Sequence, residues 1–226
     1  MLDFGLFDFV PYMVFSILET SAMFYLAFKV FKIDVYPIEI VFASTLMAFV
    51  SYVLRHDYEM VLTDVAVQYL LTFCFLWLLF KIHVFYAAIM TGLAYLAYML
   101  VQSTCYFLLK LSGVYFIVIP FVPDNVYLLQ LISAALTITI AYSVGKRRKG
   151  FDFIPDKQNY KVKIDFREIK LFILSAPALL IVIVMLILAQ RYSQYFFLIP
   201  VIYAVLLYAY LYLSYKKDRT YNEFNS

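Results

Sequence analysis

The chain has 226 residues, 65% hydrophobic and 15% charged, with a formal net charge of +3 and a mean hydropathy of +0.87. Soluble domains run near about 45–50% apolar and about 25% charged, so this composition excludes an ordinary soluble enzyme and indicates an integral membrane protein. Too little chain lies outside the apolar runs for a soluble domain, and no nucleic-acid partner is expected.

The first residues, MLDFGLFDFV, lack the basic start and small-residue cleavage site of a signal peptide, so the first apolar segment is expected to persist as a span. Seven such segments follow in order, near 5–28, 35–54, 64–80, 82–111, 126–144, 169–189 and 196–214. In hydrocarbon every backbone N–H and C=O must be satisfied within the protein, so runs of this length predict helices. The expected fold class is all-α, a polytopic helix bundle in a single membrane domain covering 1–226.

The cations orient it. With the N-terminus outside, 15 of the 18 Lys and Arg fall on the inner side, leaving Arg55, Lys110 and Arg191 outside. That bias predicts N-out and C-in, with an inner loop at 145–168 and an inner tail at 215–226.

Within the first two spans the informative residues are acids. Asp8 lies near the outer end of span one, Glu39 near the inner end of span two, and Glu19 near mid-bilayer. A charge at that depth costs about 2.5–3.5 kcal/mol, so Glu19 must face the bundle, carry a proton or find a partner. Asp8 and Glu19 are separated by about three turns and share a face. No basic residue is expected at the depth of Glu19. Tyrosine hydroxyls, Gln68 and Gln102 are its candidate partners.

The outer loop after span two reads RHDYE, and places His56 beside Asp57 and Glu59; a solvated loop explains it, and no metal site is expected. Cys74 and His83 both lie toward the inner half. A membrane cysteine peptidase would need such a pair, but ordinary packing of Cys74 is the favoured reading. Cys105 is also within an apolar segment, and no disulfide framework is expected. Only five glycines occur and no phosphate-binding loop, so neither a cofactor nor catalysis is expected.

Span four carries Thr91, Tyr95, Tyr98 and Gln102 at spacings of four, three and four, a polar stripe on one helix face. Tyr208, Tyr212 and Tyr215 repeat the device in the last span. Such stripes bind membrane helices together or line a cavity. Beyond span four, SGVYFIVIPFVPDN (112–125) is apolar and punctuated by Pro120 and Pro123, too short to span, and reads as interfacial or re-entrant. An outward-opening apolar pocket is expected between this loop and the outer ends of spans two to four, with Tyr98, Gln102, Tyr106, Tyr115 and Phe116 as candidate ligand residues. The outer face is net negative, from Asp3, Asp57, Glu59, Asp64 and Asp124 against Arg55, Lys110 and Arg191.

The inner loop 145–168, GKRRKGFDFIPDKQNYKVKIDFRE, is basic, and Val162, Ile164 and Phe166 alternate with charged residues, which predicts an extended surface segment near anionic headgroups. Together with the 216–226 tail it is the candidate docking surface for a cytoplasmic or membrane partner. Oligomeric state is not specified by the sequence.

With seven spans, an outer N-terminus, a basic inner tail and STLMAFVSYVLR in span two, the chain resembles the membrane sensor region of accessory-gene-regulator-type receptor histidine kinases of Gram-positive bacteria. The likeness covers the whole chain as a layout, and it transfers no individual residue. It implies a plasma-membrane receptor that binds a small hydrophobic peptide at its outer face, in quorum sensing. No phosphoacceptor or ATP-binding motif occurs in the 226 residues, so autokinase activity is not expected and output would pass through a partner protein. A permease or substrate-binding subunit of a transporter is the alternative, and an immunity or scaffold protein a third.

Overall fold

A computed structural model describes residues 3–113, 124–147, 150–154, 180, 182–184 and 198–225. Among the described residues six helices are long and apolar enough to cross a membrane, the second and third when taken with the turns that prolong them: α1 (Asp3–Val30), α2 (Pro37–Tyr52), α3 (Val61–Cys74), α4 (Val84–Leu111), α5 (Asp124–Lys146) and α6 (Leu198–Asn225). Wider π-helical turns prolong α2 through Val53–Asp57 and α3 through Phe75–Leu79. Among the described residues there is no strand. The chain is an all-helical, multi-pass membrane protein.

The predicted spans one to five match these helices to within a few residues. The last differs: α6 runs to Asn225, so the segment expected as a tail continues the helix. Of the expected span at 169–189, only 180 and 182–184 are described; they are helical, and Val182 is fully buried. The 114–122 loop and the alternating 161–167 segment lie outside the described residues.

Helix contacts fix the arrangement. Phe15 stacks on Tyr127 and Glu19 meets Gln130, so α1 and α5 run parallel; α2 and α4 run against them. We call the end where α1 begins the upper end and the other the lower end. The lower half is apolar. Phe24, Phe28 and Phe31 recur along one face of α1 and are fully buried against Met47, Leu76 and Ile89, with Phe28 and Phe80 rings 4.8 Å apart. Ala43, Ala87, Ala134 and Ala141 are also fully buried, and small residues of this kind allow close helix approach where no water drives association. The outward side chains, such as Phe42, Phe49, Leu70 and Val205, form the lipid-facing surface.

The last span breaks one expectation. Tyr208, Tyr212 and Tyr215 are exposed on the outside of α6, whereas Tyr203 and Tyr210 face the bundle. The Tyr210 hydroxyl donates to the carbonyl of Ile89 at 2.8 Å and ties α6 to α4. Spacing alone identified a face of α6, but not which neighbour it meets.

The lower end is closed by a short piece of the 145–168 loop. Phe151, Phe153 and Ile154 are buried, with Phe153 edge-on to Phe31 at 5.8 Å, so this part of the loop packs into the bundle instead of lying on the surface. The Phe151 amide donates to the carbonyl of Val30 at 2.7 Å. Asp152 accepts from Lys32 and its amide donates to Asp218 of α6 at 2.7 Å. Gly150 makes the approach possible: a Cβ there would sit 2.6 Å from the Val30 carbonyl oxygen and 3.0 Å from that of Lys29. A Cβ on Gly145 would instead meet only the flexible Lys29 side chain, at 3.0 Å.

Two alanine substitutions therefore diverge. Gly150→Ala forces a backbone shift and is expected to destabilise the protein by about 1–3 kcal/mol. Gly145→Ala, inside α5, gains helix propensity of up to about 1 kcal/mol and is expected to be neutral or stabilising. Thermal unfolding midpoints of the two variants in detergent check the contrast; equal losses would mean that the 150–154 segment is not seated against Val30.

Candidate functional site

The polar residues of the bundle gather at its upper end in two linked groups. In the first, Asp64, in the opening turn of α3, is completely buried. Arg55, on the π-helical turn after α2, donates through Nε to Asp64 Oδ2 at 2.5 Å. Ser51, one turn before Arg55, donates to the same oxygen at 3.1 Å and exchanges a 2.7 Å hydrogen bond with the Tyr12 hydroxyl of α1. Gln68 Nε2 donates to Asp64 Oδ1 at 3.2 Å and to the Met47 carbonyl at 2.9 Å. These contacts join α1, α2 and α3 around one carboxylate.

The second group surrounds Glu19. Gln102 of α4 donates to its Oε1 at 2.9 Å and Gln130 of α5 to its Oε2 at 2.7 Å. Tyr98 lies one turn from Gln102 and shares a 3.0 Å hydrogen bond with Ser133 of α5. Among the described residues no ion pair reaches Glu19, whose side chain is only partly buried.

Both groups open onto one recess of about 150 Å³, to which α1 to α5 all contribute. Glu19, Arg55, Tyr98 and Gln102 supply its polar wall; Met23, Met47, Val65 and Met99 supply much of the apolar wall. It is half polar and charged, where the sequence suggested an apolar pocket. The recess is too small for a whole peptide. It holds a molecule of about benzene size, or one side chain of something larger.

The candidate residues separate as follows. Tyr98, Gln102, Glu19 and Gln68 line the recess. Tyr106 does not; it is buried beside Cys105 and Leu129. Glu39 lies in the first turn of α2 at the lower end, where an acid favours the helix N-terminus. Asp8 is in α1, and its side chain, like Tyr115 and Phe116, lies outside what is described. Gln102 is a partner of Glu19, as the sequence suggested, whereas Gln68 serves Asp64. His83 caps α4, its Nδ1 accepting from the Phe85 amide at 3.3 Å. His56 stacks on Tyr52 and lies 3.1 Å from Asp57 in an exposed turn. Among the described residues no group of three or more metal-ligating side chains forms.

Sequence reasoning missed Arg55, Asp64 and Gln130 as site residues. Arg55 and Asp64 were counted only among the charges of the outer face, yet Ser51 and Arg55 are four apart on one helix face, and an acid follows across the turn. Gln130, Ser133 and Thr137, all buried, repeat in α5 the spacing of three and four that marks the stripe of α4.

Searches against protein-family models, curated proteins and solved structures found no match.

The Arg55–Asp64 pair predicts an asymmetry. Arg55→Met strands a sealed carboxylate and is expected to cost about 3–5 kcal/mol. Asp64→Asn keeps one oxygen for Gln68 and turns its NH2 toward Ser51, whose hydroxyl can accept, and it releases an arginine whose side chain is already 37% exposed; about 1–2 kcal/mol is expected. Unfolding midpoints in detergent or bicelles check the order. Equal losses would show that Asp64 is not the anchor of the upper end.

Proposed function

We propose that this protein is a multi-pass plasma-membrane receptor subunit that admits a small ligand, or one group of a peptide, into the Glu19 recess from the outer face. Its output then passes to a partner at the inner face. The observation that carries this reading is the recess itself: five helices converge on a cavity whose wall combines an acid, an arginine, three amides and three tyrosines with methionines. Pockets of small-molecule sites have this make-up, few polar groups among apolar ones. The positive-inside bias puts the upper end outside. Lys29, Lys32, Lys81, Lys146 and Lys216 then mark the inner end.

Helix α1 supports the second half of the proposal. It lines the recess with Tyr12, Ser16 and Glu19, and eleven residues later its Val30 carbonyl holds the 150–154 segment. A ligand that draws Glu19 toward itself acts on the same rigid element that seats Phe151, Asp152 and, through Asp152, the polar end of α6. This inner surface is the one that a partner would read. The likeness to peptide receptors of quorum sensing agrees with an outer ligand site.

A transporter is the second reading, favoured by the intramembrane charges Glu19, Asp64 and Arg55, since ionisable residues at membrane depth often mark substrate or ion paths. Uptake separates the two. A receptor binds ligand without accumulating it in cells or vesicles, whereas a permease accumulates it.

Access to the recess is testable without knowing the ligand. Ser16 lines it, and Ser16→Cys is nearly isosteric. In a chain with Cys74 and Cys105 replaced, a small membrane-impermeant thiol reagent added to intact cells is expected to modify Cys at position 16 and at position 124. A thiol at position 147 should react only after permeabilisation. Labelling of positions 124 and 147 from the same side would overturn the orientation, and a silent position 16 would overturn the open recess.

A further inference from the structure

We propose that the recess takes a small zwitterion, an α-amino acid with a short apolar side chain, held between Arg55 and Glu19. This inference rests on the reading of the recess as a ligand site and adds the chemistry of its ligand.

The unused bonding capacity of the two residues points to it. Arg55 has five guanidinium N–H donors. Among the described residues only Nε has a partner, Asp64, so the terminal Nη groups retain their donors. Glu19 accepts from Gln102 on one oxygen and from Gln130 on the other, and the Tyr98 hydroxyl is also within its reach. An ionised carboxylate offers about four acceptor positions, so one remains for a ligand. Both residues line the same recess, but they stand farther apart than the 4.0 Å of an ion pair. A molecule carrying a carboxylate and an ammonium on one carbon would answer both: its carboxylate accepts from the Nη donors, and its ammonium donates to Glu19.

Charge selects the zwitterion over either half of it. Glu19 and Asp64 against Arg55 leave the recess with one net negative charge when the acids are ionised. A simple carboxylate would enter against two acids. A simple amine would enter beside an unsaturated guanidinium. The zwitterion adds no net charge and engages both.

Size and wall set the side chain. About 150 Å³ accommodates a benzene-sized molecule, which matches the smallest apolar amino acids such as alanine and valine. Met23, Met47 and Met99 line the wall, and unbranched thioethers adapt to side chains of slightly different shape.

The test uses the full chain in nanodiscs with alanine, valine, ethylamine and propionate as probes, read by calorimetry and by thermal unfolding. Alanine or valine is expected to bind saturably and raise the unfolding midpoint, with ethylamine and propionate weaker by about tenfold or more, the loss of one charged hydrogen-bonded contact. Arg55→Lys and Glu19→Gln are each expected to weaken amino-acid binding by a similar factor, because lysine cannot offer the paired donors and glutamine lacks the charge. Comparing four ligands on the unmodified protein does not depend on either variant folding. Equal affinity for ethylamine or propionate, or no amino-acid binding, overturns the proposal, as does binding unchanged in both variants. Protection of the Ser16→Cys thiol distinguishes the two failures. If that thiol reacts but amino acids do not protect it, the zwitterion is wrong and the site reading stands. If it does not react, the site reading itself fails.

Discussion

Everything at the upper end of this bundle depends on how one sealed carboxylate is held. Asp64 has no exposure at all, and a buried charge of this kind is tolerated only with a charged partner and hydrogen bonds on its remaining lone pairs. Arg55, Ser51 and Gln68 meet that need from three directions. In doing so they fix the α2–α3 hairpin, place Arg55 over the recess and, through Ser51, bring Tyr12 of α1 into register. Removing the acid from this position would relax several helices at once.

The two halves of the bundle are stabilised by different physics. Below, rings and small residues interlock: Phe24, Phe28, Phe31 and Phe80 pack beside buried alanines, and close packing is the main source of association between helices in lipid. Above, hydrogen bonds between helices join ring contacts such as Phe15–Tyr127, and each such bond is worth on average about 0.6 kcal/mol in a membrane. Helix α1 changes character at Glu19, from Tyr12 and Ser16 on one side to Phe24 and Phe28 on the other. A close-packed lower half thus supports an upper half joined through polar groups. That division suits a binding site, which needs fixed helices around adjustable contacts.

The turns follow a device that the composition imposes. With only five glycines available, Lys32, Glu59 and Lys81 adopt positive φ values of 51°, 52° and 56° where the chain reverses. The left-handed conformation costs about 1–2 kcal/mol for a residue with a Cβ. At Lys32 the side chain has a use that glycine could not supply, the ion pair to Asp152. At the lower end, backbone strain and the docking of the 150–154 segment therefore share one residue.

How much of this was legible in the sequence depends on the range of the interaction. The helices were, because bilayer thickness and backbone satisfaction act on each segment alone. Five of the spans were placed within a few residues, and the burden on Glu19 followed from its depth. Partner choice was not. Gln68 and Gln102 looked equivalent as donors to Glu19, yet the three-dimensional crossing of α1 with α4 gives Gln102 that role and leaves Gln68 with Asp64. Asp64 itself read as one more charge of the outer face, because the end of a hairpin shows its partners only once its neighbours are known. The burial of Phe151 and Phe153 was likewise hidden behind the basic residues that flank them.

Unsaturation is what separates the recess from the Asp64 network. A network that served only to bind helices together would tend toward donors and acceptors that saturate one another, since each unmet buried group costs about 1–3 kcal/mol. The Asp64 cluster approaches that state. The recess does not: among the described residues Gln130 Oε1 is buried with no donor, and Arg55 and Glu19, both partly exposed to the recess, keep donors and an acceptor position that no protein group fills. These shortfalls lie on neighbouring groups of one cavity, and they have opposite signs of hydrogen-bonding demand. A structural role would have removed them by pairing Arg55 with Glu19 directly. The bundle holds the two apart instead, and leaves the recess between them open.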